Sequence, residues 1–174
     1  MARIKVFDEC IFYLSRLPGI CNKTATRLAM YILSQDENFA IKLAESIQEL
    51  RLNTVFCSVC GCISSHDICD ICQDEHRDKT TLCVVEEAKD ILAIEQTSRF
   101  HGVYHALGGK LSPIDGVGPE NLRISDLIKR LNEGAIKEVI IATNHDVEGD
   151  TTALYLSKVI GKYDRRIIPS VRIW

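Results

Sequence analysis

No stretch of this 174-residue chain approaches the ~20 consecutive apolar residues that a membrane-crossing helix needs, so no membrane association is expected. The first residues, Met1-Ala2-Arg3-Ile4-Lys5-Val6, contain no apolar core and no small-residue cleavage site, so no secretory leader is expected either. A charge excess of one sign is also lacking: 21 Lys and Arg stand against 24 Asp and Glu, a net of −3. That balance does not advertise a nucleic-acid binder, and any contact with DNA must use a local patch. There is no internal repeat and no low-complexity segment, which leaves ordinary globular modules. The length suits one ordinary domain or two small ones, and 46% hydrophobic with 26% charged residues is normal for such a chain.

What the chain does have is eight cysteines. Without a leader they read as metal ligands plus buried thiols rather than a disulfide framework, in a reducing cytoplasm. Cys57, Cys60, Cys69 and Cys72 form two C-x-x-C pairs separated by eight residues. Each pair can turn two thiolates toward one point, and two such turns close a tetrahedral S4 site suited to Zn²⁺, with Zn–S near roughly 2.3 Å. The span holds little with which to build a core, so a structural metal would organise it. The other reading is a pair of redox or disulfide-forming dithiols. Those normally sit at the end of a strand in a βαβ unit, whereas this stretch is short, polar and turn-rich. Cys62 is a fifth thiol, too close to Cys60 to be a second knuckle ligand. His66 and His76 flank the span, but four thiols already suffice.

Composition divides the chain into residues 1–53, 54–79 and 80–174. Net charge is +1 over residues 1–52, −3 over 53–79 and −1 over 80–174. The first segment reads as helical. Phe7, Cys10, Ile11 and Leu14 share one helix face, and Ala25, Leu28, Ala29 and Ile32 repeat the spacing after a break at Pro18-Gly19. Ala40, Leu43, Ala44 and Ile47 repeat it again, with Ser34 and Glu37 expected to form a capping box. The last segment alternates strand-like and helix-like runs. Strands are expected at Leu82–Val85, Val103–Leu107, Val139–Ala142 and from Ile167, with helices between them, which predicts a mainly parallel sheet.

Leu17-Pro18-Gly19-Ile20 predicts a tight turn, after which Asn22 is expected to cap a helix carrying Lys23, Thr24 and Arg27 in its first turns. A helix N-terminus with outward N–H groups suits an anion, and Lys23 and Arg27, four residues apart, could hold adjacent phosphates. The segment resembles a helix–hairpin–helix motif, which implies sequence-independent binding to the DNA backbone. The motif usually has a second glycine where this chain has Cys21. The alternative is a helical turn that only packs.

Acidic residues cluster after two of the expected strands: Glu86 and Glu87 after the first, and Asn144-His145-Asp146-Val147-Glu148-Gly149-Asp150 after the third. In an open parallel sheet, ligands collect outside the carboxyl ends of strands, and gathered carboxylates can bind hydrated Mg²⁺. The pattern resembles a Toprim domain, found in primases, topoisomerases and some nucleases. Asn144 stands where that signature has its first aspartate, placing a neutral oxygen where phosphotransfer wants charge. No tyrosine is placed as a nucleophile, since Tyr104, Tyr155 and Tyr163 fall in strand or helix runs. A solvated acidic loop, a weak Mg²⁺ site and a working nuclease are the three readings. Gly108, Gly109, Gly116 and Gly118 form a flexible connection that could line the same sheet edge. His101, His105 and His145 have no metal-ligand spacing and read as ordinary polar residues.

The order of modules resembles the bacterial RecR family of recombination mediators, through Leu17–Ala29, Cys57–Cys72, Val84–Asp90, Tyr104–Pro119 and Ala142–Asp150. The resemblance implies an α+β chain of three modules: a helix–hairpin–helix DNA-binding and assembly region, a C4 zinc finger, and an α/β Toprim domain. It implies a non-enzymatic repair factor that binds DNA as an oligomeric clamp, a dimer or ring-like tetramer. It implies work with RecO-like and RecF-like partners to load RecA on gapped or single-stranded DNA, independently of RecBC, at the cytoplasmic nucleoid. Glu86, Asp146 and Glu148 would then contact partners or weakly hold Mg²⁺ before serving catalysis. The competing function is a Mg²⁺-dependent Toprim nuclease or primase-like enzyme. Family members continue past the last strand with a Gly-Leu-Pro-Val-Gly-Gly-like segment, which is expected to be missing after Arg172-Ile173-Trp174.

Overall fold

The computed structural model describes residues 4–163 and 165–168, so Met1-Ala2-Arg3 and the chain end at Arg172-Ile173-Trp174 lie outside the described residues. The chain divides into a helical unit up to Asn53 and a second unit from Thr54 onward.

The first unit contains α1 (Lys5–Ser15), α2 (Asn22–Ser34) and α3 (Glu37–Leu52). The predicted faces of α1 and α2 turn inward, with Ala25 and Ala29 buried and Phe7, Cys10, Ile11 and Leu14 half-buried. Small alanines at 25 and 29 let the two helices approach closely. The predicted face of α3 does not: Leu43 and Ile47 are exposed, the latter by 61%. Two expected caps shift. Cys21, not Asn22, is the N-cap of α2, and Asp36, not Ser34, caps α3 by accepting a hydrogen bond from the Phe39 N–H at 2.8 Å. Ser34 remains helical and donates its hydroxyl back to the Tyr31 carbonyl, the local bond that serine prefers at a helix end.

In the second unit a short antiparallel hairpin, β1 (Val55–Phe56) with β2 (Ile63–Ser64), and the one-turn α4 (Asp70–Gln73) carry the cysteines. The chain continues through β3 (Asp78–Val85), α5 (Ala88–Gln96), β4 (Gly102–Ala106), α6 (Ile124–Asn132), β5 (Glu138–Ala142), α7 (Val147–Ile160) and β6 (Arg166–Ile168). All four long strands are parallel, in the order β4-β3-β5-β6.

Strand periodicity sorts side chains to the two faces. Leu82 and Val84 of β3, with Val139 and Ile141 of β5, pack on Leu127 and Leu131 of α6 and Leu156 and Ile160 of α7. Cys83 and Val85 turn the other way, with Tyr104 and Ala106 of β4, onto Ile91 and Ile94 of α5. Cys57, Cys60, Cys62 and Cys69 belong to this same cluster. The cysteine module therefore does not stand apart; it completes the layer on the α5 face of the sheet.

Candidate metal centre and acidic edge

The four predicted cysteines converge. The sulfurs of Cys57, Cys60, Cys69 and Cys72 lie within 4.8 Å of one another, and all but Cys72 are buried. Cys60 Sγ is 3.4 Å from Cys69 Sγ, and Cys57 Sγ is 3.9 Å from Cys72 Sγ. Four sulfurs placed tetrahedrally at ~2.3 Å from one ion stand roughly 3.8 Å apart, so the spacing fits Zn²⁺. All eight cysteines are free thiols. Backbone amides point at the cluster, Cys62 N–H toward Cys60 Sγ and Cys69 N–H toward Cys57 Sγ, each at 3.3 Å. Hydrogen bonds from Cys62 and Cys72 hold the Cys60 thiol far below its usual range, while the same bond pushes Cys72 up. Without a cation, thiols so crowded must share protons; a zinc ion lets all four ionise. Such an ion would hold together a segment whose own secondary structure is two short strands and one helical turn. Cys62, His66 and His76 are not members of the gathered set.

The knuckle is tied to the sheet. The Cys57 N–H donates to the Cys62 carbonyl at 2.8 Å and the Gly61 N–H to the Cys57 carbonyl at 2.9 Å, closing the turn. Gly61 adopts φ +78°, which an L side chain resists, and a Cβ there would overlap the Arg123 guanidinium. The Ala106 N–H donates to the Cys60 carbonyl at 2.7 Å, so the knuckle occupies the open edge of β4. Arg130 of α6 caps the same strand by donating to the Tyr104 carbonyl at 2.6 Å. His105 corrects its reading as an ordinary polar residue: it is fully buried, its Nε2 is 2.8 Å from the Arg123 carbonyl, and burial lowers its pKa to about 4.

The acids lie at the carboxyl ends of β3 and β5. Glu86, buried, receives two hydrogen bonds from Asn144: the backbone N–H at 3.0 Å on one oxygen and the side-chain amide at 2.6 Å on the other. Burial raises the Glu86 pKa, and the Asn144 amide opposes that rise. Gly149 is needed for close approach here, because a Cβ would run into the Asn144 carbonyl. Asp146 caps α7 by accepting from the Gly149 N–H at 2.7 Å. Lys110, in the glycine-containing loop after β4, reaches Asp146 at 2.6 Å and Glu148 at 2.9 Å. It holds the Asp146 carboxyl below its usual range, and a Ser112 hydrogen bond followed by Lys110 does the same for Glu148. Glu86 is thus tied to Asn144, while Asp146 and Glu148 are tied to Lys110.

In the helical unit, Gly19 takes φ +77° and the Ile20 N–H closes onto the Leu17 carbonyl at 3.1 Å, forming the predicted tight turn. Lys23 and Arg27 are both exposed, one helical turn apart on α2. Lys110, Arg123 and Arg130 escaped the sequence reading. No spacing marks them, because the contacts that give each its place, to Asp146, Ser58 and Tyr104, are distant in sequence.

A helical hairpin, a C4 knuckle and a parallel sheet with an acidic C-terminal edge, in that order, define a zinc-containing Toprim protein with a helix–hairpin–helix module. Models of known families match the same three stretches: the RecR helix-hairpin-helix at residues 7–51, the RecR zinc finger domain of the four-cysteine type at 54–74 and the Toprim domain at 80–169. The chain is similar to the curated "Recombination protein RecR" of Moorella thermoacetica, with 50% identity over 153 residues, 88% of this chain and 77% of that protein. It is 48% identical over 155 residues to the protein of that name from Acidothermus cellulolyticus, covering 89% of this chain and 78% of the relative. A third, from Leifsonia xyli subsp. xyli, is 48% identical over 162 residues, 93% of this chain and 82% of the relative. The chain belongs to the RecR family of recombination proteins.

Proposed function

We propose that this chain is a non-catalytic mediator of DNA repair and recombination, which binds DNA without sequence preference as an oligomeric clamp. It acts with RecO-like and RecF-like partners to promote RecA loading on gapped or single-stranded DNA, independently of RecBC, at the nucleoid in the cytoplasm. Residues 1–53 bind DNA and assemble, 54–79 form the zinc finger, and 80–174 form the Toprim domain. Lys23 and Arg27 hold phosphates. Cys57, Cys60, Cys69 and Cys72 hold structural zinc. Glu86, Asp146 and Glu148 form the partner-binding edge and bind Mg²⁺ weakly at most.

The observation that carries this reading is the state of the acids. A phosphotransfer centre needs carboxylates free to take a metal, whereas here Asn144 holds Glu86 and Lys110 holds Asp146 and Glu148. Assembly is supported by the helical unit, whose described residues bury only Ala25 and Ala29 completely and leave Phe12, Tyr31, Leu33 and Ile47 exposed. A set of apolar side chains this size on so small a unit favours burial against another subunit. Among the described residues no helix is long and apolar enough to cross a membrane.

The deciding experiment is a pull-down against RecO-like and RecF-like proteins, with sedimentation over micromolar concentrations. Capture of either partner by a dimer or tetramer is expected. A strict monomer, or Mg²⁺-dependent DNA cleavage or primer synthesis abolished by Glu86→Ala, would overturn the reading.

A further inference from the structure

A zinc ion held by four thiolates is a doubly negative centre, and a half-buried site must offset that charge with donors or cations. Two knuckle amides contribute, at Cys62 and Cys69. Two arginines nearby come from α6 and the residue before it, more than fifty residues further along the chain.

Arg123, which precedes α6, reaches back to the first knuckle. Its Nη2 donates to the Ser58 carbonyl at 2.8 Å and to the Val59 carbonyl at 3.4 Å, the two residues between Cys57 and Cys60. Its guanidinium lies against Gly61, where any side chain would displace it. Asp126 is its carboxylate neighbour, at 3.6 Å.

Arg130, two turns further along α6, approaches the second knuckle. It lines a cavity of ≈ 210 Å³ together with Cys72 and Val59. Among the described residues, no carboxylate lies within ion-pair distance of it. Its hydrogen bond goes to the Tyr104 carbonyl, which anchors the guanidinium without neutralising it. Glu133 lines the same cavity but makes no ion pair with Arg130, so a half-buried cation without a paired carboxylate has the neighbouring Cys72 thiolate as its main source of negative charge.

We propose that Arg123 and Arg130 are positioning residues of the zinc site: Arg123 locks the Cys57–Cys60 knuckle, and Arg130 places positive charge beside Cys72. Metal retention is then a joint property of the finger and the Toprim domain. This rests on the reading that the four cysteines hold zinc.

The test is a competition titration of the full-length protein against a chromogenic zinc chelator, with Arg123→Ala, Arg123→Lys, Arg130→Gln and Arg130→Lys compared with the control Arg166→Ala. Arg166 is exposed and pairs with Glu138 on β5, away from the knuckle. Loss of an outer-shell partner weakens metal binding by about 10–100-fold, and that range is expected for Arg123→Ala and Arg130→Gln. Lysine should rescue at 130, where charge matters, and fail at 123, where one planar guanidinium meets Asp126 through Nε and the knuckle carbonyls through Nη2. The cobalt-substituted variants should keep the tetrahedral thiolate spectrum, which separates weakened retention from a lost ligand. If Arg123→Ala does not fold, Arg123→Lys decides by the same criterion; if Arg130→Gln does not fold, Arg130→Met decides in its place. Affinities equal to that of Arg166→Ala would overturn the proposal while leaving the zinc reading intact. An unmodified protein that takes up no zinc would overturn both.

Discussion

Asn144 closes onto Glu86 with both its backbone and its side-chain N–H donors, so each carboxylate oxygen of Glu86 has one partner from the same residue. Replacing the amide by a carboxylate removes one donor and sets two acids face to face. Asn144→Asp is therefore expected to destabilise the fold by about 1–3 kcal/mol at neutral pH, read by denaturant titration. The sign with pH follows from Glu86, whose pKa burial raises above the usual carboxylate value. A raised acid binds more protons folded than unfolded, so stability falls as pH climbs from the ordinary carboxylate range to the raised value. Asn144→Asp should steepen that fall, and Mn²⁺ should restore part of the loss. An Asn144→Asp protein as stable as its parent at neutral pH would show that the amide is incidental.

His105 gives an opposite pH slope. Burial lowers its pKa to about 4; the hydrogen bond to the Arg123 carbonyl opposes the shift, the Arg130 and Arg123 charges add to it, and Asp126 opposes it. A lowered histidine stays neutral in the fold while the unfolded chain takes up a proton, so stability is lost as pH falls from about 6.5 toward 4. The loss amounts to about 3 kcal/mol. His105→Gln should flatten that limb of a stability profile. An unchanged limb would assign the acid sensitivity to another group.

Zinc should be measurable at one ion per chain by elemental analysis. Cys57→Ser should abolish stable binding and lower the melting temperature by about 10 °C, the shift a few kcal/mol produces in a chain of this size. Chelation of the unmodified protein should do the same. Because Cys57 and Cys60 share a cluster with Val85, Tyr104 and Ala106, the damage should extend into β3 and β4, visible as faster amide exchange there. A zinc-free Cys57→Ser protein with normal melting and normal oligomerisation would rule out a structural role.

The double variant Lys23→Ala/Arg27→Ala should weaken DNA binding equally on different sequences. It should also reduce the slope of log affinity against log salt by about 2, one for each phosphate contact removed. Both residues are exposed on α2, so melting should not change. Full affinity with an unchanged slope would move the DNA surface elsewhere.

The zinc ligands and the parallel sheet were legible because local rules govern them: knuckle spacing for one, alternation of apolar strands with helical stretches for the other. The acids after β3 and β5 were legible for the same reason, through topology. Lys110, Arg123 and Arg130 were not, because a lone basic residue reads the same whether it meets water, Asp146 or a knuckle carbonyl. The caps of α2 and α3 were misplaced by one and two residues, since Ser34, Asp36 and Asn22 all have capping chemistry and only backbone geometry chooses among them. The face of α3 had helical period, but periodicity does not say whether the covering surface belongs to the same chain. His105 looked polar and proved to be core, its Nε2 meeting the Arg123 carbonyl.

Only four residues separate α4 of the finger from β3, and β3 is an interior strand with parallel neighbours on both sides. A load applied to the finger along this strand therefore acts in shear. The hydrogen bonds to β4 and β5 would have to break together rather than one after another. The finger is thus a mechanically stiff handle: a pull on it would move the sheet as a body.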